Sequence, residues 1–247
     1  MGQHYNVRVP DGMCFCFDGL NKKCYPGTGS VFTEIKSGIT GTRAGSTGTI
    51  SLDSTLGKPH LRWDSTVGSR VAYIPFSVDI YGNTGVKVPY GASGSWSWWQ
   101  YFEDQGSQDH PNIGWETGSS WDGANGFVFG TGWGTDGPRW GVADTAYSVY
   151  STASPDYQTN TWQNWTVTFD GNATNGLKTY LNGSLIDQRT PSTTTISAVN
   201  TNDLYLGATQ TRSGNWGGYM DVVQMWDRTL SANEVGTLYQ SFRGRFE

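Results

Sequence analysis

Residues 164–171, NWTVTFDG, place Trp165, Val167 and Phe169 on one side of an extended chain and Thr166, Thr168 and Asp170 on the other. A period of two belongs to a β-strand with one apolar face. After a turn rich in Gly and Asn comes LKTYLNGSLID, where Asn182-Gly183 suits the two positive φ angles of a type I′ hairpin. Paired strands with one apolar face must bury it against a second layer, so this stretch calls for a sandwich.

The same alternation recurs along the chain. It predicts strands in GMCFCFD, SRVAYIPFSVDIYG, GVKVPYG, SWSWWQYF, GFVFGTG, TAYSVYS, DLYLGA and YMDVVQMW. They are short and punctuated by Gly, Pro and Asn, unlike alternating βαβ units. Residues 37–57 and 103–126 read as loops. One helix is expected, at the end: Ser231 with Glu234 three residues on forms a capping box, and Val235 and Leu238 supply an apolar stripe.

Composition agrees. With 34 Gly, 14% aromatic and only 15% charged residues, the chain is neither a helix bundle nor charge-rich disorder. Its 247 residues fit one large all-β domain, residues 1–247. Net charge is −5 and the 16 Lys and Arg form no run, which excludes a phosphate-gathering field and hence nucleic acid as a partner. No stretch approaches the roughly 20 apolar residues that cross a bilayer, so no membrane insertion is expected. The start, MGQHYNVRVPDG, lacks a basic and apolar leader, and the expectation is a protein made and kept without export.

Cys14, Cys16 and Cys24 are too few for a disulfide framework. In strict alternation Cys14 and Cys16 share one face of a strand, a poor disulfide geometry, and all three read as small buried apolar residues.

The motif order WQNWTVTFDG, KTYLNGSLI, DLYLGA, YMDVVQMWDRTLSANEV, over about residues 160–240, resembles the second half of laminin-G-like, concanavalin A-like lectin/glucanase jelly rolls. The opening FCFDGLNKKCYPGTGSVFTEI and the ending YQSFRGRFE resemble the two ends of such domains in virion proteins of tailed phages of the marine, cyanophage type. The sequence departs from that pattern at Cys24, Phe32 and Glu34, and residues 60–150 match only loosely.

The resemblance implies an all-β fold: a two-sheet antiparallel jelly-roll sandwich with a short C-terminal helix. It implies a non-enzymatic virion protein, decorating the head or forming part of a fibre or tail appendage. Its partners would be other virion proteins, in a homo-oligomeric or multi-copy arrangement, and a surface glycan. The alternatives are a calcium-dependent lectin and a glycanase.

Candidate site residues follow. Asp221 is read as sharing its strand face with Tyr219, Val223 and Met225, so its carboxylate needs a partner. Backbone N–H groups or Arg228 are one answer. The other, implied by the resemblance, is a Ca2+ ion held by Asp18 and Asp221. Trp115, Trp121 and Trp133 lie in Gly-rich stretches and either stack on a sugar or fill space beneath a loop, whereas Trp165 and Trp226 read as core. GWGTDG at 132–137 satisfies G-x-G-x-x-G, but no helical pattern follows it, so dinucleotide binding is excluded. Retaining glycanases need two acids about 5 Å apart, and no E-x-D-x-E occurs. His4, His60 and His110 have no motif context and read as surface or loop residues.

Overall fold

The computed structural model describes residues 11–45, 48–64, 72–103, 110–115, 126–131, 139–143, 158–196, 203–208 and 217–247. Through these the chain forms β1 (Met13–Phe17), β2 (Val31–Thr33), β3 (Thr40–Thr42), β4 (Thr49–Asp53), β5 (His60–Asp64), β6 (Ile74–Ser77), β7 (Ser93–Phe102), β8 (His110–Trp115), β9 (Gly126–Thr131), β10 (Arg139–Ala143), β11 (Trp162–Asp170), β12 (Leu177–Leu181), β13 (Ser184–Arg189), β14 (Asp203–Leu206), β15 (Gly218–Trp226) and the helix α1 (Ala232–Phe246).

Two antiparallel sheets face each other. The larger has the order β13-β12-β11-β7-β15-β5-β4, and the smaller β10-β9-β8-β14-β6; β2 and β3 form a separate pair. The strand β15 organises the larger sheet. One of its edges runs along β7, while the other takes β5 at Gly218–Tyr219 and β1 at Val223–Trp226.

Between the sheets lies an apolar core containing Phe15, Phe17, Trp63, Trp96, Trp98, Phe127, Phe129 and Trp165. Trp96 stacks on Phe127 with centroids 4.4 Å apart, and Trp98 meets Phe129 edge-on at 4.3 Å. These contacts knit the long strand β7 to β9 across the sandwich.

The outer face of the larger sheet is also covered, by α1 and the segment leading into it. Ser231 accepts from the N–H of Glu234 and the Glu234 carboxylate accepts from the N–H of Ser231, so the expected capping box is present. The apolar stripe extends past Val235 and Leu238 to Phe242 and Phe246, and packs on Met13, Trp99, Tyr180, Val222 and Trp226. A strand read as half-buried is therefore covered on both sides. Thr166 and Thr168 of β11 are fully buried. Thr166 donates to Ser97 Oγ at 2.9 Å, and Ser95 Oγ bridges the Arg228 carbonyl and the Leu230 N–H.

Other expectations change in the same way. The stretch 37–57 holds β3 and edge strand β4, and 103–126 holds β8; Thr and Ile supply the β-propensity that their Gly and Ser content masks. GVKVPYG forms no named strand and carries two isolated bridges, from Val86 to Val78 and from Gly91 to Ile196. TAYSVYS falls outside the described residues. Asn182 and Gly183 adopt φ of 50° and 78°, as the type I′ turn requires.

Two bulges break the strict alternation. In β1 the register shifts between Met13 and Phe15. Cys14 joins the inter-sheet core, while Cys16 packs against the helix-side cluster, so the two thiols do not share a face. In β15 Val222 has φ +51° and the register to β7 shifts between Asp221 and Gln224. Met220, Val223 and Met225 point into the inter-sheet core; Tyr219, Asp221 and Val222 belong to the outer face. The expectation that Asp221 shares a face with Val223 and Met225 is corrected by that one extra residue.

Candidate functional site

The strand register lines up the outer-face side chains in rows across the larger sheet. One row runs Ser51, Arg62, Tyr219, Tyr101, Trp162, on β4, β5, β15, β7 and β11. The next row contains Asp53, His60, Asp221, Trp99 and Asn164. Helix α1 ends over this second row, where Phe246 stacks on Trp99 at 4.2 Å and on His60 at 5.5 Å. Lys58 fixes that end by donating to the carbonyls of Gly244, Arg245 and Glu247. The first row lies just beyond the helix, and Arg62, Tyr101 and Trp162 stay partly exposed.

At one end of the row Arg62 donates to Glu103 at 3.1 Å and lies 3.6 Å from Asp53. Asp53 also accepts from the Tyr219 hydroxyl at 3.1 Å. Hydrogen bonds from Thr55 first, then Tyr219 and the Arg62 charge, hold the Asp53 carboxyl below its usual range. The rings of Tyr101 and Tyr219 meet edge-on at 5.5 Å, and Tyr101 meets Trp162 at 5.8 Å. Trp162 rests on His60 and Phe246, each at 4.6 Å. Rigid aromatic rings beside a charged clamp make a surface that combines stacking with directional hydrogen bonding.

Beneath it lies a buried pair. Nδ1 of His60 is 2.9 Å from Oδ2 of Asp221, and the two side chains are 2% and 0% exposed. Burial raises the Asp221 carboxyl above its ordinary value, opposed by the bond to His60. This is the partner that Asp221 was expected to need. It is neither a backbone N–H nor Arg228, which pairs with Glu234 and donates to the Asp11 carbonyl. His60, read as a surface or loop residue, is a buried strand residue whose side chain is oriented by this bond.

The residues proposed for Ca2+ do not fit the ion. Both oxygens of Asp18 accept from Arg245, at 2.9 Å each. Asp221 Oδ1 has no hydrogen-bond partner among the described residues, but a Cβ on Gly19 would lie 2.8 Å from it, so the backbone already closes that side. Calcium asks for six to eight oxygens, and the described residues contain no group of three His, Cys, Asp or Glu that could hold a metal. Trp115 sits on β8, 1% exposed, within the inter-sheet core rather than in an open loop. In this position it fills space between the sheets. Trp121 and Trp133 lie outside the described residues.

The profile of the concanavalin A-like lectin/glucanases superfamily matches residues 78–236. The chain belongs to this superfamily. No curated protein matches it. Among solved structures, the superfamily fold seen here is similar to a botulinum neurotoxin type C structure described as entering cells through two ganglioside molecules, with TM-score 0.65, 14% identity, and coverage of 95% of this chain and 52% of that one. It is also similar to the binding domain of botulinum neurotoxin DC in complex with rat synaptotagmin II, with TM-score 0.62, 13% identity and coverage of 94% and 52%. The chain thus spans about half the length of these toxin chains. Domain 4 of AbnA, an extracellular arabinanase of family GH43 from Geobacillus stearothermophilus in complex with arabinotriose, is matched almost end to end: TM-score 0.60, 15% identity, 92% of this chain and 98% of that one. At such identities the likeness is one of fold.

Proposed function

We propose that this chain is a non-catalytic glycan-binding jelly roll displayed on the virion of a tailed phage, as a head-decoration or fibre/tail-appendage component. The observation that carries the binding role is the partly exposed set of Trp162, Tyr101 and Arg62, which stands with Glu103 and Asp53 around the buried Tyr219. The AbnA domain in complex with arabinotriose, and the toxin whose cell entry is described as dependent on two ganglioside molecules, support the same reading. The phage setting rests on the resemblance of both chain ends to virion proteins. There the chain would sit in several copies against other virion proteins.

The acids present argue against hydrolysis. A glycanase needs one carboxyl kept protonated near neutral pH and a second as nucleophile or base. Asp53 is pushed the wrong way, towards permanent ionisation. Asp221 is pushed the right way but is sealed at 0% exposure beneath the Tyr219, Trp162 and Phe246 rings around His60.

The test is a glycan array probed with the whole chain, with and without a chelator, together with mass spectrometry of purified particles. Binding that persists in chelator, and the protein's presence in intact virions, are the expected results. A blank array removes the binding role; absence from virions removes the setting. Loss of binding on chelation would restore a calcium-dependent lectin.

A further inference from the structure

We propose that β4, at the open edge of the larger sheet, pairs antiparallel with β4 of a second copy of this chain about a two-fold axis through Ser51. This pairing depends on neither the glycan nor the virion reading.

An unpaired strand edge offers a row of free N–H and C=O groups, and folded proteins guard such rows with bulges, charges, proline or a covering segment. Two other edges here are guarded. On the far side of the same sheet, β13 carries an extra residue between the partners of Thr179 and Tyr180, and the Asp187–Arg189 pair at 3.2 Å. In the smaller sheet, β6 contains Pro75, and β3 lies so close that a Cβ on Gly41 would come within 2.4 Å of the Pro75 carbonyl oxygen. The β4 edge is different. It reads Thr-Ile-Ser-Leu-Asp, pairs with β5 without a register shift, and has no strand beyond it among the described residues. Its one charge, Asp53, stands at the end and faces Arg62. Leu52 is 38% exposed, although the strand points it to the same side as the buried Ile50.

The strand is complementary to itself. Side chains directly opposite each other in an antiparallel pair share a face, so the axis must pass through a residue. Through Ser51 it pairs all five residues; through Ile50 or Leu52 it pairs only three. On the inner side Ile50 of one copy then meets Leu52 of the other, which covers the exposed part of Leu52. On the outer side Ser51 meets Ser51, and Thr49 meets Asp53, a hydroxyl facing a carboxylate. No like charges are opposed. The charges at the two ends agree. Nη1 of Arg43 donates to the Gly48 carbonyl at 2.7 Å, at the head of β4, whereas the tail holds Asp53 and Glu103 against Arg62, one charge negative in sum. Antiparallel pairing sets head against tail.

The two larger sheets thereby become one, with their outer faces on the same side. Because Ser51 is the cross-strand neighbour of Arg62, the Arg62 positions of the two copies lie three inter-strand steps, about 14 Å, apart. Each copy adds its partly exposed face to one continuous surface.

The experiment is sedimentation equilibrium of the whole chain over roughly 1–100 µM, the range of weak specific pairing. The mass of two chains is expected at the upper end. Leu52→Lys, which installs the guard that natural edges use, should raise the dissociation constant about tenfold or more. Leu185→Lys, on the β13 edge and 47% exposed, should leave it unchanged. Cross-linking reads the register. With diamide, Ser51→Cys should give a disulfide-linked dimer, since opposed Cα atoms lie about 4.5–5.5 Å apart. Thr49→Cys should not, because its two copies stand about 14 Å apart. The parent, with its three native cysteines, is the blank. Both substituted positions are exposed, so neither change threatens folding. A chain that stays single throughout the range, a dimer unmoved by Leu52→Lys, or Thr49→Cys linking as fast as Ser51→Cys would each overturn this inference. None of these outcomes bears on the glycan array or on the composition of virions.

Discussion

The larger sheet is buried on both faces, but the two burials differ in kind. Its inner face meets the smaller sheet chiefly through apolar rings, Phe15, Phe17, Trp63, Trp96, Trp98 and Trp165 against Phe127 and Phe129, with one buried hydrogen bond from Trp98 Nε1 to Gln100 at 3.0 Å among them. Its outer face meets the helix through aromatic rings as well, yet beneath and beside them lie the His60–Asp221 pair and the Ser97, Thr166 and Asn164 hydroxyl and amide contacts. Apolar packing is non-directional and tolerates exchanges that keep volume. Hydrogen-bonded groups in a dry interface tolerate few, because one lost partner strands the other. The sandwich core can be satisfied by shape, whereas the helix seat is specified by identity.

The sharpest way to break that contrast is a pair of deletions of similar cost. Trp98→Ala should destabilise by about 3–5 kcal/mol through the cavity it leaves. Asp221→Ala should cost about 3–5 kcal/mol by leaving His60 buried without its partner. Only the second should be recoverable: the double change His60→Phe with Asp221→Leu is expected to return to within about 1–2 kcal/mol of the starting stability, since apolar replacement of a buried pair is often neutral. Urea midpoints measure all three. A double variant no better than Asp221→Ala would mean that the seat is held by shape after all.

A smaller effect separates the helix start from its end. Ser231→Ala removes the N-cap and should cost about 1 kcal/mol.

Acid titration then distinguishes two carboxyls of opposite sign. The Arg228 hydrogen bond and the Ser231 N–H lower Glu234 from 4.5 to about 2. Its contribution is present above 4.5 and is lost as the pH falls towards 2, so Glu234→Gln should flatten the acid limb of the stability curve. Asp221 is raised above its ordinary 3.8, chiefly by burial. Its contribution is full below 3.8 and is lost as the pH rises through the raised value. Relative to Asp221→Asn, the parent chain should therefore gain stability on acidification. Parallel slopes for the two variants would contradict the geometry.

The least effect is expected from thiol reagents. Burial pushes Cys14 and Cys16 up to about 12 and raises Cys24 as well, so few thiolates exist at neutral pH. Mass spectrometry should find the native chain unalkylated, with all three thiols reacting in denaturant. Rapid alkylation of Cys16 in the folded chain would show that the helix-side cluster opens.

How much of this was legible follows from the range of each signal. The Asn182-Gly183 turn and the Ser231–Glu234 box are local, and each appears as read, whereas alternation is kept in β11 and broken by the bulges in β1 and β15. The β8 strand was hidden because Pro111, Asn112 and Gly114 carry turn chemistry while the pairing that overrides it comes from β9 and β14. The need of Asp221 for a partner was visible, but His60 stands 161 residues away and only the β15–β5 register joins them. The row of Arg62, Tyr101 and Trp162 escaped for the same reason: no one of these residues carries a motif, and their meaning lies in being neighbours across strands.

The bulge at Val222 has a further implication. A branched residue held at φ +51° makes β15 two half-strands in series, whose inward and outward positions are exchanged at the joint. The upstream half positions Tyr219 and Asp221, while the downstream half, through Trp226, anchors the helix. Removing a single residue here would leave every downstream side chain facing the opposite layer, so the spacing at this joint is a length constraint that any graft of new surface residues onto the strand must respect.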